Sequence, residues 1–169
     1  MPHHHTAPSP QTLQLRTPRP GDGTALWQLV QATGTLEANS AYCYVLFATD
    51  FADTCLVAEQ DGQLVGAVVG YHPPREPGTA FVWQVGVRPS HQGQGLGLQL
   101  LQHWRALPAN AGCRWITATV ADDNAASQAL FRRLAHGLGT ACHVSPHFGA
   151  ELFPSGHAAE PLYRIGPLA

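Results

Sequence analysis

Gln92-Gly93-Gln94-Gly95-Leu96-Gly97 is the stretch that decides the fold. Upstream lies the β-rich run Phe81-Val82-Trp83-Gln84-Val85-Gly86-Val87. Downstream, Leu98 to Leu107 carries Leu100, Leu101, Trp104 and Leu107 at helical spacing. The order is strand, glycine turn, helix. Glycines let the backbone approach a ligand because no Cβ intervenes. The amides that open a helix have no partner within it, and the helix dipole adds positive charge there, so such a turn suits a pyrophosphate. A dinucleotide fingerprint requires G-x-G-x-x-G, and a P-loop requires G-x-x-x-x-G-K-[ST]. Here the glycines stand at 93, 95 and 97 and no Lys follows, which excludes both. On these six residues alone, a glycine turn closing a βα unit without any ligand remains the competing reading.

Composition narrows the classes further. A chain of 169 residues is read as one domain with a full core. A net charge of −2 gives no electrostatic footprint for nucleic acid. No run approaches the ~20 apolar residues of a membrane helix. The start, Met1-Pro2-His3-His4-His5, has neither a basic nor an apolar leader region, so no secretory signal is expected. Residues 1–11 read as a Pro-rich disordered tail and residues 12–169 as the domain. Cys43, Cys55, Cys113 and Cys142 form no C-x-x-C pair, so neither a metal site nor a redox dithiol is expected. Reduced thiols in a cytoplasmic chain are the simplest account. Cys55 and Cys113 read as core thiols.

Along the chain, Leu13 and Leu15 alternate with polar residues as a first strand. Asp22 is placed to cap a helix to about Thr33, with Leu26, Trp27 and Val30 on its buried side. Ser40 to Phe47 reads as a second helix. Thr54 to Glu59 and Gln63 to Tyr71 read as strands joined by Asp61-Gly62, a strong hairpin signal. Then come strand Thr79 to Val87, the helix after the glycine turn, strand Trp115 to Val120, helix Asn124 to Ala135, and strands Cys142 to Val144 and Pro161 to Ile165. A bulge is expected at Val85-Gly86-Val87, because Gly inside a strand often marks one.

The pattern Q-x-x-G-x-G, from Gln92 through Gly95 to Gly97, resembles the acyl-coenzyme A signature of the GCN5-related N-acetyltransferases, the GNAT superfamily. A second segment, Asn124-Ala125-Ala126-Ser127-Gln128-Ala129-Leu130-Phe131, is similar to the family's N-x-x-A-x-x-L-[YF] motif. The resemblance implies an α/β (α+β) fold: a mixed, mostly antiparallel central sheet flanked by helices, splayed where acetyl-CoA enters. It implies coenzyme contacts at Val85, Val87, Gln92, Gly93, Gln94, Gly95, Leu96, Gly97, Asn124 and Ser127. Asn124 taken alone reads more simply as a helix cap. Phe131 stands where the family often has a Tyr serving as acid for the leaving thiolate, so that proton must come from elsewhere.

Four further segments resemble the L-2,4-diaminobutyrate acetyltransferases of ectoine synthesis: Leu36 to Tyr42, Phe51 to Cys55, Phe81 to Val85, and the tail His157 to Pro167. This resemblance implies acetyl transfer from acetyl-CoA to the N4 amine of diaminobutyrate, by direct attack in a ternary complex of a homodimeric enzyme. It implies substrate contacts at Glu37, Tyr42, Trp83, His157 and Glu160, with Glu160, Glu37 or water as base and Tyr42 as candidate acid. Glu37 stands where the family carries Asp, and Ala158-Ala159 where it more often carries acids. Each residue also has an ordinary account: a solvated loop acid for Glu37, core packing for Trp83, a buried hydroxyl with one partner for Tyr42, surface positions for His157 and Glu160. Transfer to another amine, or a non-catalytic acyl-CoA-binding module, are the competing functions.

Overall fold

The computed structural model describes residues 12–169, so the expected tail at residues 1–11 lies outside the described residues. Within them the order is β1 (Gln14–Arg16), α1 (Gly23–Thr33), α2 (Ala41–Thr49), β2 (Leu56–Gln60), β3 (Gln63–Tyr71), β4 (Thr79–Val87), α3 (Leu96–Arg105), β5 (Trp115–Thr119), α4 (Ala125–Gly137), β6 (Ala141–Phe148) and β7 (Glu160–Gly166). The strands form one sheet in the order β1-β2-β3-β4-β5-β7-β6. Only β4 and β5 pair parallel; every other neighbour is antiparallel.

Local chemistry accounts for most boundaries. Asp61 (φ 53°) and Gly62 (φ 74°) both take left-handed backbone, the conformation a two-residue hairpin turn needs. Ser40 caps α2 by accepting from the Cys43 amide. Asp22 does not cap α1 with its side chain, contrary to expectation. Its carboxylate is drawn instead to the Arg16 guanidinium, at 2.7 and 3.1 Å, and to the Arg19 amide at 2.7 Å. Arg16 also reaches Glu59, clipping β1 to β2 and to the entry of α1.

The hydrogen bonds from Arg16 hold the Asp22 carboxyl below the usual range. A depressed folded pKa means the clip stabilises above the ordinary carboxylate range and fades as pH falls through the depressed value. Asp22→Asn is expected to cost about 1–2 kcal/mol near neutral pH. In urea unfolding, the difference from wild type should shrink towards pH 3; a difference that stays constant with pH rules this account out.

Two cores flank the sheet. Leu26, Leu29, Val30, Tyr44 and Ala48 of α1 and α2 pack on one face with Val57, Leu64 and Ala67. Leu100, Leu101 and Trp104 of α3 and Phe131 and Leu134 of α4 pack on the other with Val68, Val82, Ile116 and Ile165. Each face is what the apolar spacing of its helices dictates.

The β4–β5 pairing runs only from Thr79↔Trp115 to Val82↔Ala118. Beyond it β4 continues to Val87 without β5 beside it, and the sheet opens into a V. The bulge lies at the mouth of this V, not at Val85–Val87. Register with β3 is continuous through Val85, Gly86 and Val87, and shifts between Val69↔Gln84 and Gly70↔Val82, which leaves Trp83 as the extra residue. Gly86 has a different reason to be glycine: a Cβ there would lie 2.8 Å from Leu36 Cδ1 and 3.2 Å from Thr33 Cγ2. The residues that follow α1 therefore lie directly on β4.

Candidate active site

The glycine turn sits where β4 hands over to α3. Gly93 (φ 75°) and Gly95 (φ 78°) take backbone that L side chains rarely adopt, and Gly95 is the residue capping α3. Gly97 differs: a Cβ would meet Leu130 of α4 at an ordinary 3.6 Å. The hydrogen-bond ladder of α3 starts with the Gln99 amide donating to the Gly95 carbonyl at 3.1 Å. The amides of Leu96, Gly97 and Leu98 therefore have no acceptor inside the helix. Gln92 and Gln94 brace the turn, their amide groups donating to the Val87 and Ser90 carbonyls at 3.0 and 3.5 Å. A row of open amides at a positive helix end, without an acidic side chain in the turn, fits a pyrophosphate.

Alongside lies the start of α4. Asn124 caps it, its Oδ1 accepting from the Ser127 amide at 3.2 Å, so the simpler role of this Asn is realised. Gln128 fixes the preceding loop by donating to the Ala121 and Asp122 carbonyls. Phe131 is buried in the main core, so no proton donor enters the V from that position.

The other wall of the V gathers the substrate-side residues. Trp83, made the extra residue by the bulge, shares the α2 side of β4 with its neighbour Gln84. Its ring stacks on Phe47 (centroids 5.2 Å apart) and on Tyr44 (5.9 Å), and Phe47 in turn meets Phe51. Tyr44 is fully buried, and its hydroxyl donates to Gln84 Oε1 at 2.8 Å. Burial pushes its phenol up, against the hydrogen bonds from its neighbours. The Gln84 Nε2 then donates to the backbone carbonyl of Glu37 at 3.0 Å. That chain of two hydrogen bonds, with Leu36 seated on Gly86, fixes the loop between α1 and α2 on β4.

The Glu37 carboxylate projects from this loop, 76% exposed, with Oε2 3.7 Å from His157 Nε2. His157 is stacked on Phe153, with centroids 4.0 Å apart, and its Nδ1 contacts the Ala158 carbonyl at 2.7 Å. That places its Nε2 towards Glu37. Three residues on, Glu160 begins β7, and the Thr119 hydroxyl at the end of β5 donates to its Oε2 at 2.6 Å. Loop 34–40 belongs to the β4 arm of the V, and the segment from His157 to Glu160 belongs to the β5–β7 arm. The Glu37–His157 contact joins the two arms.

The structure thus brings the Glu37 carboxylate to His157, with Glu160 held by Thr119 at the start of β7 and Trp83 on β4 against Tyr44 and Phe47. Tyr42 lies in the first turn of α2 with its side chain 72% exposed. The buried tyrosine with a satisfied hydroxyl is its neighbour Tyr44. Sequence reading missed Tyr44, Gln84 and Thr119. A polar Gln inside an otherwise apolar central strand is a usable signal, because buried polar groups need partners; a strand Thr gives none.

The thiols stand apart from this chemistry. Cys55 is buried and its thiol is pushed up to about 11. Cys113 Sγ lies 3.7 Å from His72 Nε2, but that same nitrogen meets Asn110 Oδ1 at 2.8 Å. No relay through the two ring nitrogens exists there, and burial raises this thiol too.

Comparison with known proteins agrees with this fold. Residues 23–136 match the model of the acetyltransferase (GNAT) family. The L-2,4-diaminobutyric acid acetyltransferase of Shouchella clausii is 43% identical over 157 residues, covering 92% of this chain and 88% of the relative. That of Nocardia farcinica is 42% identical over 158 residues, covering 94% and 82%. Among solved structures, the diaminobutyrate acetyltransferase EctA of Paenibacillus lautus, in complex with its substrate L-2,4-diaminobutyric acid and coenzyme A, superposes with a TM-score of 0.88. The identity is 42%, with coverage of 92% of this chain and 95% of that one. Ard1 of Thermoplasma volcanium, at 17% identity and a TM-score of 0.72, shares the fold. The chain belongs to the GNAT acetyltransferase family and, within it, to the L-2,4-diaminobutyric acid acetyltransferases.

Proposed function

We propose that this enzyme transfers the acetyl group of acetyl-CoA to the N4 amine of L-2,4-diaminobutyrate, a step of ectoine biosynthesis. The observation that carries the reading is the pair of carboxylates, Glu37 and Glu160, held on opposite arms of a V whose β4 edge leads to an open-amide glycine turn. An amino acid with a second amine calls for anions or acceptors around its ammonium groups. Trp83 adds an aromatic wall suited to a cation.

A free alkyl ammonium has a pKa of about 10, so the attacking nitrogen must lose a proton. Glu160 is the proposed acceptor. The Thr119 hydroxyl holds its Oε2 and leaves Oε1 to face the amine. The neutral nitrogen attacks the thioester carbon, the C–S bond breaks, and sulfur leaves as a thiolate that takes a proton. Tyr42 is the proposed donor to the sulfur. Backbone N–H groups of the unpaired β4 edge, Val85 to Val87, are proposed to polarise the carbonyl oxygen. Gln92 to Gly97, with Asn124 and Ser127, are proposed to seat the coenzyme. Much of the acceleration then comes from holding two substrates in register.

Homodimerisation is proposed through the β6 edge, where Val144 and Phe148 are exposed beside Leu152. The four cysteines are unpaired thiols, which suits a cytoplasmic enzyme.

The test is thiol release from acetyl-CoA with 2,4-diaminobutyrate, ornithine, lysine and putrescine in parallel, followed by NMR of the acetylated product. Preference for diaminobutyrate with acetylation at N4 is expected. Higher turnover on another amine moves the substrate. Saturable acetyl-CoA binding without turnover of any amine replaces the enzyme with a binding module.

A further inference from the structure

The Glu37–His157 contact links the two arms of the V, yet the pair cannot fix its own geometry. Glu37 is 76% exposed, and its Oε2 stands 3.7 Å from His157 Nε2. An exposed pair at that length contributes little and is screened by salt. The position of the imidazole has to come from its own side, and the segment between β6 and β7 supplies it.

Gly156 (φ 89°) takes left-handed backbone, the conformation a tight turn over 154–157 needs at its third position. The His157 amide closes that turn by donating to the Pro154 carbonyl at 3.1 Å. The chain doubles back, and His157 comes to lie on Phe153, four residues earlier. The two rings are nearly parallel, 16° apart in tilt with centroids 4.0 Å apart. Phe153 is itself met edge-on by Phe148, at 6.3 Å and 83°. Phe148 pairs in register with Glu160 across the β6–β7 ladder. The row Phe148, Phe153, His157 therefore sets the imidazole relative to the strand end that carries Glu160. One ring face is covered by Phe153, and Nδ1 is turned to the Ala158 carbonyl at 2.7 Å, which leaves Nε2 towards Glu37.

We infer that Phe153 is a positioning residue for acetyl transfer: its ring holds the His157 imidazole with Nε2 towards Glu37, and through that histidine it sets the affinity for the amine substrate. This rests on the reading that Glu37 and His157 face diaminobutyrate. The ordinary account of Phe153 is apolar cover for the end of the β6–β7 pair. Any apolar side chain of similar size satisfies that account, whereas a stacked imidazole needs a flat partner.

The experiment measures steady-state kinetics of wild type, Phe153→Leu, Phe153→Tyr, His157→Ala and the double variant F153L/H157A. Phe153→Leu keeps an apolar side chain and removes the plane. It should raise KM for diaminobutyrate about 3- to 10-fold, the size of one aromatic contact, while KM for acetyl-CoA stays put. Phe153→Tyr keeps the plane and should stay near wild type. In the His157→Ala background Phe153→Leu should add nothing, because its effect runs through the imidazole. A wild-type diaminobutyrate KM in Phe153→Leu overturns the inference. So does an impairment in Phe153→Tyr equal to that in Phe153→Leu, or an F153L effect that survives beside H157A. NMR of the His157 ring nitrogens reads the same geometry without any substrate. At a pH where the ring is neutral, wild type and Phe153→Tyr should hold the proton on Nδ1, since the Ala158 carbonyl can only accept. Phe153→Leu should spread it over both nitrogens, and an unchanged pattern there overturns the inference. If wild type acetylates no amine, the function proposed above fails, and the ring-nitrogen spectra alone decide whether Phe153 positions His157.

Discussion

Glu160→Gln is expected to lower kcat for diaminobutyrate about 100- to 1,000-fold, within the range that a positioned general base contributes. The Gln side chain has nearly the same shape and still offers an oxygen to the Thr119 hydroxyl, so the end of β7 should stay docked on β5. Coenzyme A binding, which uses the turn at Gln92 to Gly97, should be unchanged by calorimetry. The loss should also depend on pH. Raising the pH frees the amine without help from a base, so the gap between wild type and variant should narrow at high pH. Thr119→Val separates holding from proton transfer: it removes the donor to Oε2 but not the carboxylate, and its effect should be much the smaller. Turnover within a few-fold of wild type in Glu160→Gln takes Glu160 out of the proton path and leaves Glu37 or water.

Much of this site was legible in local patterns. The glycine turn needed only a strand before it, a helix after it, and two left-handed positions, all of which are sequence-local physics. Asp61-Gly62 and Ser40 were readable for the same reason. The element order followed from apolar periodicity, which fixes which face of each helix is buried. Long-range competition was what stayed hidden. Asp22 has the residue type of a helix cap, but Arg16, six positions back, offers it a charged partner at 2.7 Å, and a charge-assisted bond outweighs an amide cap. Gly86 looked like a bulge because Gly is rare in strands. It is glycine because Leu36, fifty positions earlier, needs the space, and nothing near Gly86 in sequence records that. The true bulge at Trp83 is a register shift against β3, a property of two strands rather than one. Tyr42 and Tyr44 show the same limit. They stand two residues apart on α2, and only tertiary packing decides that Tyr44 is buried and Tyr42 exposed.

Gln84→Leu should expose how much the site depends on that hidden geometry. Leu is close in volume, so little cavity opens, but two hydrogen bonds vanish together. The Tyr44 hydroxyl is left in a fully buried place with no acceptor from β4, and the Glu37 carbonyl loses its donor. An orphaned buried hydroxyl costs about 1–3 kcal/mol, so a total loss of about 2–4 kcal/mol in urea unfolding is expected. Tyr44→Phe in the same background should recover part of it, because removing both partners is cheaper than stranding one. The functional effect travels through the loop. With its carbonyl untied, Glu37 is no longer fixed relative to His157, and KM for diaminobutyrate should rise about 10-fold or more while KM for acetyl-CoA stays put. Tyr44→Phe should not restore that KM, since it repairs the buried hydroxyl and not the Glu37 tether. If the double variant regains both stability and substrate affinity, Glu37 does not owe its position to Gln84, and Leu36 on Gly86 together with the Trp27 indole on the Asn39 carbonyl anchors the loop. If stability falls but the diaminobutyrate KM is unmoved from the start, Glu37 is not a substrate contact, and the ammonium groups are held by Glu160 and Trp83 without it.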